Sequence, residues 1–137
     1  MIENDNMNWT KYLLDSNKIK AIFGDKIPSI EAIDLHEVLL NRDGPKVTFR
    51  FDLSDYPENP PKKWQAAGFN CVQVQLVALS VHDLQINGFS SKYKCGMSIS
   101  SDEKQILSVK IDKNDLKIYL KAEHLFIDSI SAYVNSN

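Results

Sequence analysis

The chain has 137 residues, of which 43% are hydrophobic and 25% are charged, and its formal net charge at pH 7 is -2. This composition is ordinary for a globular protein and predicts a single domain over residues 1–137 with a sizeable core. A weak negative charge spread along the chain gives no reason to expect a nucleic acid or a membrane as partner. The polar N-terminal segment and the short apolar runs predict a cytoplasmic protein.

The N-terminal part of the chain predicts a helix over residues 8–23, after a lead-in at residues 1–7 that we expect to be frayed. Asn8 is a suitable N-cap, and Gly24 follows the last turn as a helix terminator. The polar run at residues 15–17 favours non-helical backbone, so the segment can also divide into two short helices. The apolar side of this segment is expected to face the core and not a partner.

The next part of the chain predicts a β-hairpin. A strand over residues 31–40 changes the parity of its apolar positions, which a β-bulge near His36-Glu37 would explain. Residues 41–44, with the sequence NRDG, are a strong turn signal. A strictly alternating strand follows at residues 46–53, and its apolar members are expected to face the core.

Residues 54–68 form a proline-rich connector without periodicity, and two interpretations of it stay open. Rigid segments with aromatic side chains lose little entropy on binding, so Tyr56, Lys62, Lys63 and Trp64 are candidate partner-binding residues. In the alternative interpretation, the two aromatic side chains fold inward and seal one end of the sheet.

Alternating apolar residues predict six further strands after the connector. They are expected at residues 69–78, 81–86, 93–100, 105–111, 116–122 and 125–134. The predicted fold is therefore α+β: an N-terminal helix packed on a largely antiparallel, curved β-sheet or sandwich of about eight strands.

The sequence contains no recognisable catalytic motif. It has no GxSxG, SxxK, GxGxxG or P-loop pattern, and its histidines at 36, 82 and 124 have no metal-site spacing. We therefore predict no enzymatic activity, no cofactor and no metal. Cys71 and Cys95 are expected to be reduced structural thiols, with a disulfide between them as the alternative.

Three carboxylates at Glu31, Asp34 and Glu37 lie close together in sequence. A solvated acidic edge is the simpler interpretation, ahead of an acid–base pair. If the chain binds a basic partner, this acidic patch is the alternative to the connector as the contact surface.

Several segments resemble the immunity protein 50 family of bacterial polymorphic-toxin systems. The matching features are Trp9, Ile27-Pro28-Ser29, Leu35-His36-Glu37, Arg42-Asp43-Gly44-Pro45, Arg50-Phe51-Asp52-Leu53, Pro60-Pro61-Lys62-Lys63-Trp64, Gly68, Asn70 and Ile130-Ser131-Ala132-Tyr133. The chain departs from the family pattern at Ser54, where the pattern has proline. The resemblance implies a cytoplasmic protein that binds a toxin delivered by a neighbouring or sibling bacterial cell and blocks it by occlusion. It implies no catalytic residues and no cofactor.

Two other functions remain as alternatives to this implication. One is a small-ligand-binding or enzymatic β-domain with a pocket at the mouth of the sheet. The other is a structural subunit that forms a homodimer through an exposed sheet edge.

Overall fold

The computed structural model describes residues 5–89 and 94–136, and most of them belong to one antiparallel sheet. The helical elements are a 3₁₀ helix at Asp5–Tyr12, α1 at Asn17–Phe23 and α2 at Lys62–Ala67. The strands are β1 Ile33–Asn41, β2 Lys46–Leu53, β3 Cys71–Asn87, β4 Lys94–Cys95, β5 Met97–Ser101, β6 Leu107–Lys113 and β7 Leu116–Tyr133. Among the described residues, no helix is long and apolar enough to cross a membrane.

The N-terminal region contains two short helices in place of the continuous helix predicted over residues 8–23. The backbone leaves helical geometry between them, where the carboxylate of Asp15 accepts a hydrogen bond from the Asn17 amide at 2.8 Å. Such a local bond competes with the helical pattern, as the polar run suggested. Just before Asp15, the amide of Leu14 donates to the carbonyl of Leu125 in β7 at 2.8 Å. Residues 1–4 of the predicted lead-in lie outside the described residues.

The β1–β2 hairpin has the turn and the bulge that the sequence predicts. Residues 41 and 46 pair across the turn, and the register shifts between Leu35 and Glu37. Because of this shift, Asp34 lies opposite Asp52. Without the bulge, the acidic and apolar positions of β1 would exchange faces.

The described residues form seven strands, whereas about eight were predicted. Two predicted pairs of strands each form one continuous strand, and one predicted strand is divided into two. Residues 71–87 form one strand, β3, and residues 116–133 form another, β7. The strand predicted over residues 93–100 is divided at Gly96 into β4 and β5, and its predicted start, Tyr93, lies outside the described residues. The interval between the two strands predicted within β3 coincides with a bulge after Val81 and with a positive φ of 53° at Ser80. The chain bends there without leaving the sheet.

The two edges of the sheet are joined through Gly96. The strand order is β4-β1-β2-β3-β7-β6-β5, so β4 and β5, which are separated by this single residue, lie at opposite edges. The sheet therefore curls around the core. A Cβ atom at Gly96 would lie 2.9 Å from the carbonyl oxygen of Glu31, which is closer than real Cβ contacts, so glycine suits this junction.

The core lies on the concave side of the sheet. The N-terminal 3₁₀ helix contributes Trp9, which is fully buried and donates its indole N–H to the carbonyl of Pro28 at 2.8 Å. The 3₁₀ helix lies against β5, and α1 lies against β7. The largest fully buried side chains of the strands are Phe49, Phe51, Ile33, Leu76, Met97, Ile99, Ile111, Ile118 and Leu120.

Ser80→Gly is expected to stabilise the protein by about 0.5–1 kcal/mol. Glycine adopts positive φ without the steric cost that a residue with a Cβ atom incurs, which outweighs its larger loss of entropy on folding. Ser100→Gly, at an exposed position of β5, is the matched control and should destabilise by a similar amount. Urea unfolding of both variants measures the difference. If both substitutions stabilised the protein, or both destabilised it, the positive φ assigned to Ser80 would be contradicted.

Candidate functional site

The convex face of the sheet carries an unusual buried carboxylate. Along β2, Thr48, Arg50 and Asp52 alternate with the core residues and therefore point outward. Asp52 is nevertheless only 3% exposed. Charged side chains on a solvent-facing sheet are normally hydrated, so neighbouring side chains must cover this one.

Three hydrogen bonds surround Asp52. His36 Nε2 donates to Oδ2 at 2.8 Å, the hydroxyl of Tyr133 donates to the same oxygen, and Gln73 Nε2 donates to Oδ1 at 3.0 Å. Because an ionised carboxylate only accepts, Nε2 of His36 must carry the hydrogen. The donors come from β1, β7 and β3, so the network joins four strands across the convex face.

The network keeps Asp52 ionised. Burial acts to raise the pKa of Asp52, but the hydrogen bonds from Tyr133, Gln73 and His36 outweigh burial and lower the pKa below its ordinary value. The hydrogen bond between Tyr133 and Asp52 raises the pKa of Tyr133 far above its ordinary value, because ionisation of the tyrosine would place a second negative charge beside Asp52. Tyr133 is therefore a permanent donor in this network.

A small cavity adjoins the network. Its volume is about 110 Å³, and its lining includes Asp34, Asp52, Ser54, Lys94 and Asn135. The carboxylate of Asp34 lies 3.8 Å from Nε2 of His36 and is about one-third exposed. The cavity is thus polar and has more negative than positive charge.

The distances within this site also suit a metal ion, since ligand atoms of Asp34, His36 and Asp52 all lie within 4.8 Å of one another. A metal needs free lone pairs on its ligands. Oδ2 of Asp52 already accepts two hydrogen bonds, and Nε2 of His36 is one of the donors. The arrangement therefore fits a hydrogen-bonded network better than a metal centre.

The two cysteines are buried and form no disulfide. Burial raises the pKa of Cys71, and burial also raises that of Cys95, with the nearby charge of Asp34 acting in the same direction. Both thiols are therefore protonated at neutral pH, which does not suit a nucleophile.

The proline-rich connector contains a helix that the sequence analysis missed. Helix α2 follows Pro61, and Gly68 ends it in a left-handed conformation with φ of 70°. Proline just before a helix and glycine just after it are the usual boundary signals, and both are visible in the sequence. The helix has only six residues, too few for a periodic apolar pattern.

The predicted connector residues divide into two groups. Tyr56 and Trp64 are half-buried, pack against the core and have ring centroids 6.3 Å apart. Lys62 and Lys63 are exposed. The amide of Ser29 donates to the carboxylate of Asp55 at 2.8 Å, which fixes the start of the connector.

The predicted acidic patch is also divided. Asp34 belongs to the cavity, and Glu37 lies on the same face with its carboxylate 3.4 Å from Nε of Arg50. Glu31 lines a separate open groove of about 330 Å³ with Gly96 and Lys110. Sequence patterns alone did not indicate that His36, Asp52, Gln73 and Tyr133 meet, because the contacts of Gln73 and Tyr133 with Asp52 depend on the strand order.

Comparison with known proteins identifies one family. No curated protein and no solved structure gives a significant match. A family model described as Immunity protein 50 matches residues 15–133, which is most of the chain. The resemblance to this family is thereby confirmed, and the chain belongs to the immunity protein 50 family.

Proposed function

We propose that this protein is a cytoplasmic immunity protein of a polymorphic-toxin system, which neutralises a cognate bacterial toxin by binding it. The observation that carries the proposal is the family match over residues 15–133. The protein acts by occlusion, without chemistry of its own. The thiols are protonated and the buried carboxylate is held by hydrogen bonds, which is compatible with a binding role.

The convex face around the Asp52 network is the better candidate for the contact surface. On the connector, the rings of Tyr56 and Trp64 pack against the core, so mainly Lys62 and Lys63 remain available to a partner. Strand side chains held by hydrogen bonds are already ordered before binding, which lowers the entropic cost of association. Toxin contact through the connector lysines is the alternative.

Co-expression with the toxin candidate encoded beside this chain is expected to restore growth to the level of cells that carry an inactive toxin. The purified proteins should form a complex that buries on the order of 800 Å² per partner, the size of a standard specific interface. Size-exclusion chromatography and calorimetry measure the complex, and a toxin from an unrelated system is the control. Growth arrest that persists despite soluble expression of both proteins would refute the proposal.

A further inference from the structure

We propose that the cavity beside Asp52 receives an arginine side chain of the toxin. The convex face of β1, β2, β3 and β7 is then the toxin-binding surface. This inference rests on the proposed function, because it specifies how the same partner is held.

Asp34 and Asp52 are two neighbouring carboxylates that differ in their hydrogen bonding. Asp34 lies directly opposite Asp52 on β2, where like charges destabilise a sheet, and directly opposite Lys94 on its other side, in β4. Asp52 has three hydrogen-bond donors, whereas the carboxylate of Asp34 accepts no hydrogen bond from the residues that the structure describes. Lys94 lines the same cavity but forms no ion pair with either carboxylate within those residues. The cavity therefore offers acceptors to a cation that brings its own donors.

An arginine side chain suits the cavity in both shape and chemistry. A guanidinium group carries five N–H donors in one plane and binds carboxylates in pairs of hydrogen bonds. It can bond to Asp34 and to the remaining lone pair on Oδ1 of Asp52 without displacing His36 or Tyr133. A metal ion would have to displace them. The volume of about 110 Å³ admits the head of one side chain and is well below the roughly 300–1,000 Å³ of small-molecule sites.

The surface that surrounds the cavity also suits contact with a protein. Gln73, Gln75, Ser129 and Ser131 continue the convex face as uncharged polar residues. Beyond them lies an apolar group formed by Leu39, which is 48% exposed, and by the half-buried Leu79 and Phe126. A pocket for one charged anchor, surrounded by polar and apolar surface, is the usual composition of a specific protein interface.

Asp34→Asn is the decisive variant, and Glu37→Gln is its matched control. Both substitutions remove one carboxylate from the same face of β1, but only Asp34 lines the cavity. Asp34→Asn should weaken binding of the toxin encoded beside this chain at least tenfold, whereas Glu37→Gln should change the affinity less than threefold. The melting temperature of the free Asp34→Asn protein should change little, because the substitution removes both the repulsion from Asp52 and the attraction to Lys94. A residue that only supports the fold would show the opposite pattern, a lower melting temperature and unchanged affinity.

Ser54→Trp provides a second variant, since a large side chain from the cavity wall should fill the cavity and cause the same loss of affinity. If the wild-type protein binds the toxin and the Asp34→Asn and Ser54→Trp variants bind it with the same affinity, this inference is overturned and the proposed function is left intact. Absence of both wild-type binding and growth rescue would instead refute the proposed function, and the toxin contact with it.

A probe that does not depend on the toxin tests the chemistry of the cavity. In ¹⁵N NMR titrations of the free protein, N-acetyl-arginine amide should shift the amides of Ser54, Cys71 and Asn135, and Asp34→Asn should abolish the shifts. N-acetyl-lysine amide should give smaller shifts, because its ammonium group cannot bridge two carboxylates in one plane. Response to Zn²⁺ or Mg²⁺ without response to the arginine probe would overturn the inference in favour of a metal site.

Discussion

Replacing Trp9 by alanine is expected to lower the free energy of unfolding by about 4 kcal/mol, close to the upper range for a fully buried aromatic side chain. Trp9 is completely buried and is hydrogen-bonded to Pro28. The substitution would leave both a large cavity and an unpaired carbonyl group. Since domains of this size have total stabilities of about 5–15 kcal/mol, the variant should be partly unfolded at 37 °C.

The second tryptophan of the chain provides the control. Trp64 is only half-buried, so Trp64→Ala should cost about 2 kcal/mol or less. Trp9→Phe keeps most of the packing but loses the hydrogen bond to Pro28 and should fall between the two alanine variants. Guanidinium unfolding followed by circular dichroism gives the three values. Equal losses for Trp9→Ala and Trp64→Ala would show that the N-terminal segment is not part of the cooperative core.

Asp52→Ala is expected to destabilise the protein by about 3 kcal/mol at pH 7, because it leaves the donors of His36, Gln73 and Tyr133 without their acceptor. Asp112→Ala is the matched control. That carboxylate is exposed and lies 3.8 Å and 4.0 Å from two lysine ammonium groups, so its loss should change stability by less than about 0.5 kcal/mol.

The contribution of Asp52 should also depend on pH in a defined direction. The folded state lowers the pKa of this carboxyl below its ordinary value of 3.8. The stabilisation is therefore complete above that value and is lost as the pH falls through the folded-state pKa. The difference in unfolding free energy between wild type and Asp52→Asn should accordingly stay nearly constant from pH 7 to about pH 5 and shrink as the pH falls below about 4. A difference that grows on acidification would show that the folded protein favours the protonated carboxyl.

Part of this site follows from local sequence signals. The turn at residues 41–44 fixes the pairing at its end, and the predicted bulge near His36-Glu37 shifts the register by one residue. Together these two features place Asp34 opposite Asp52, so the carboxylate pair could be derived from the hairpin alone. Gln73 and Tyr133 could not be added, because they come from strands separated by 21 and 81 residues from Asp52. No local rule states which strands become neighbours.

The errors in the predicted fold also have local causes. The sequence divides β3 near Ser80 because a bulge interrupts the alternation on which strand prediction depends. Helix α2 was missed because its six residues complete fewer than two turns. The predicted helix over residues 8–23 is divided because Asp15 makes a local hydrogen bond with the backbone. In β3 and in the N-terminal segment, one or two residues outweigh a longer pattern, whereas α2 is too short to show a pattern.

The position of β7 in the strand order has a consequence for biosynthesis. This strand follows the other six in the chain, yet it lies between β3 and β6. Without it, the sheet separates into the group β4-β1-β2-β3 and the pair β6-β5, and Asp52 lacks the hydroxyl of Tyr133. Chains emerge from the ribosome at about 5–20 residues per second, and sheets with many long-range pairings form in milliseconds to seconds. A growing chain therefore cannot complete the convex face of the sheet before β7 has emerged from the ribosome.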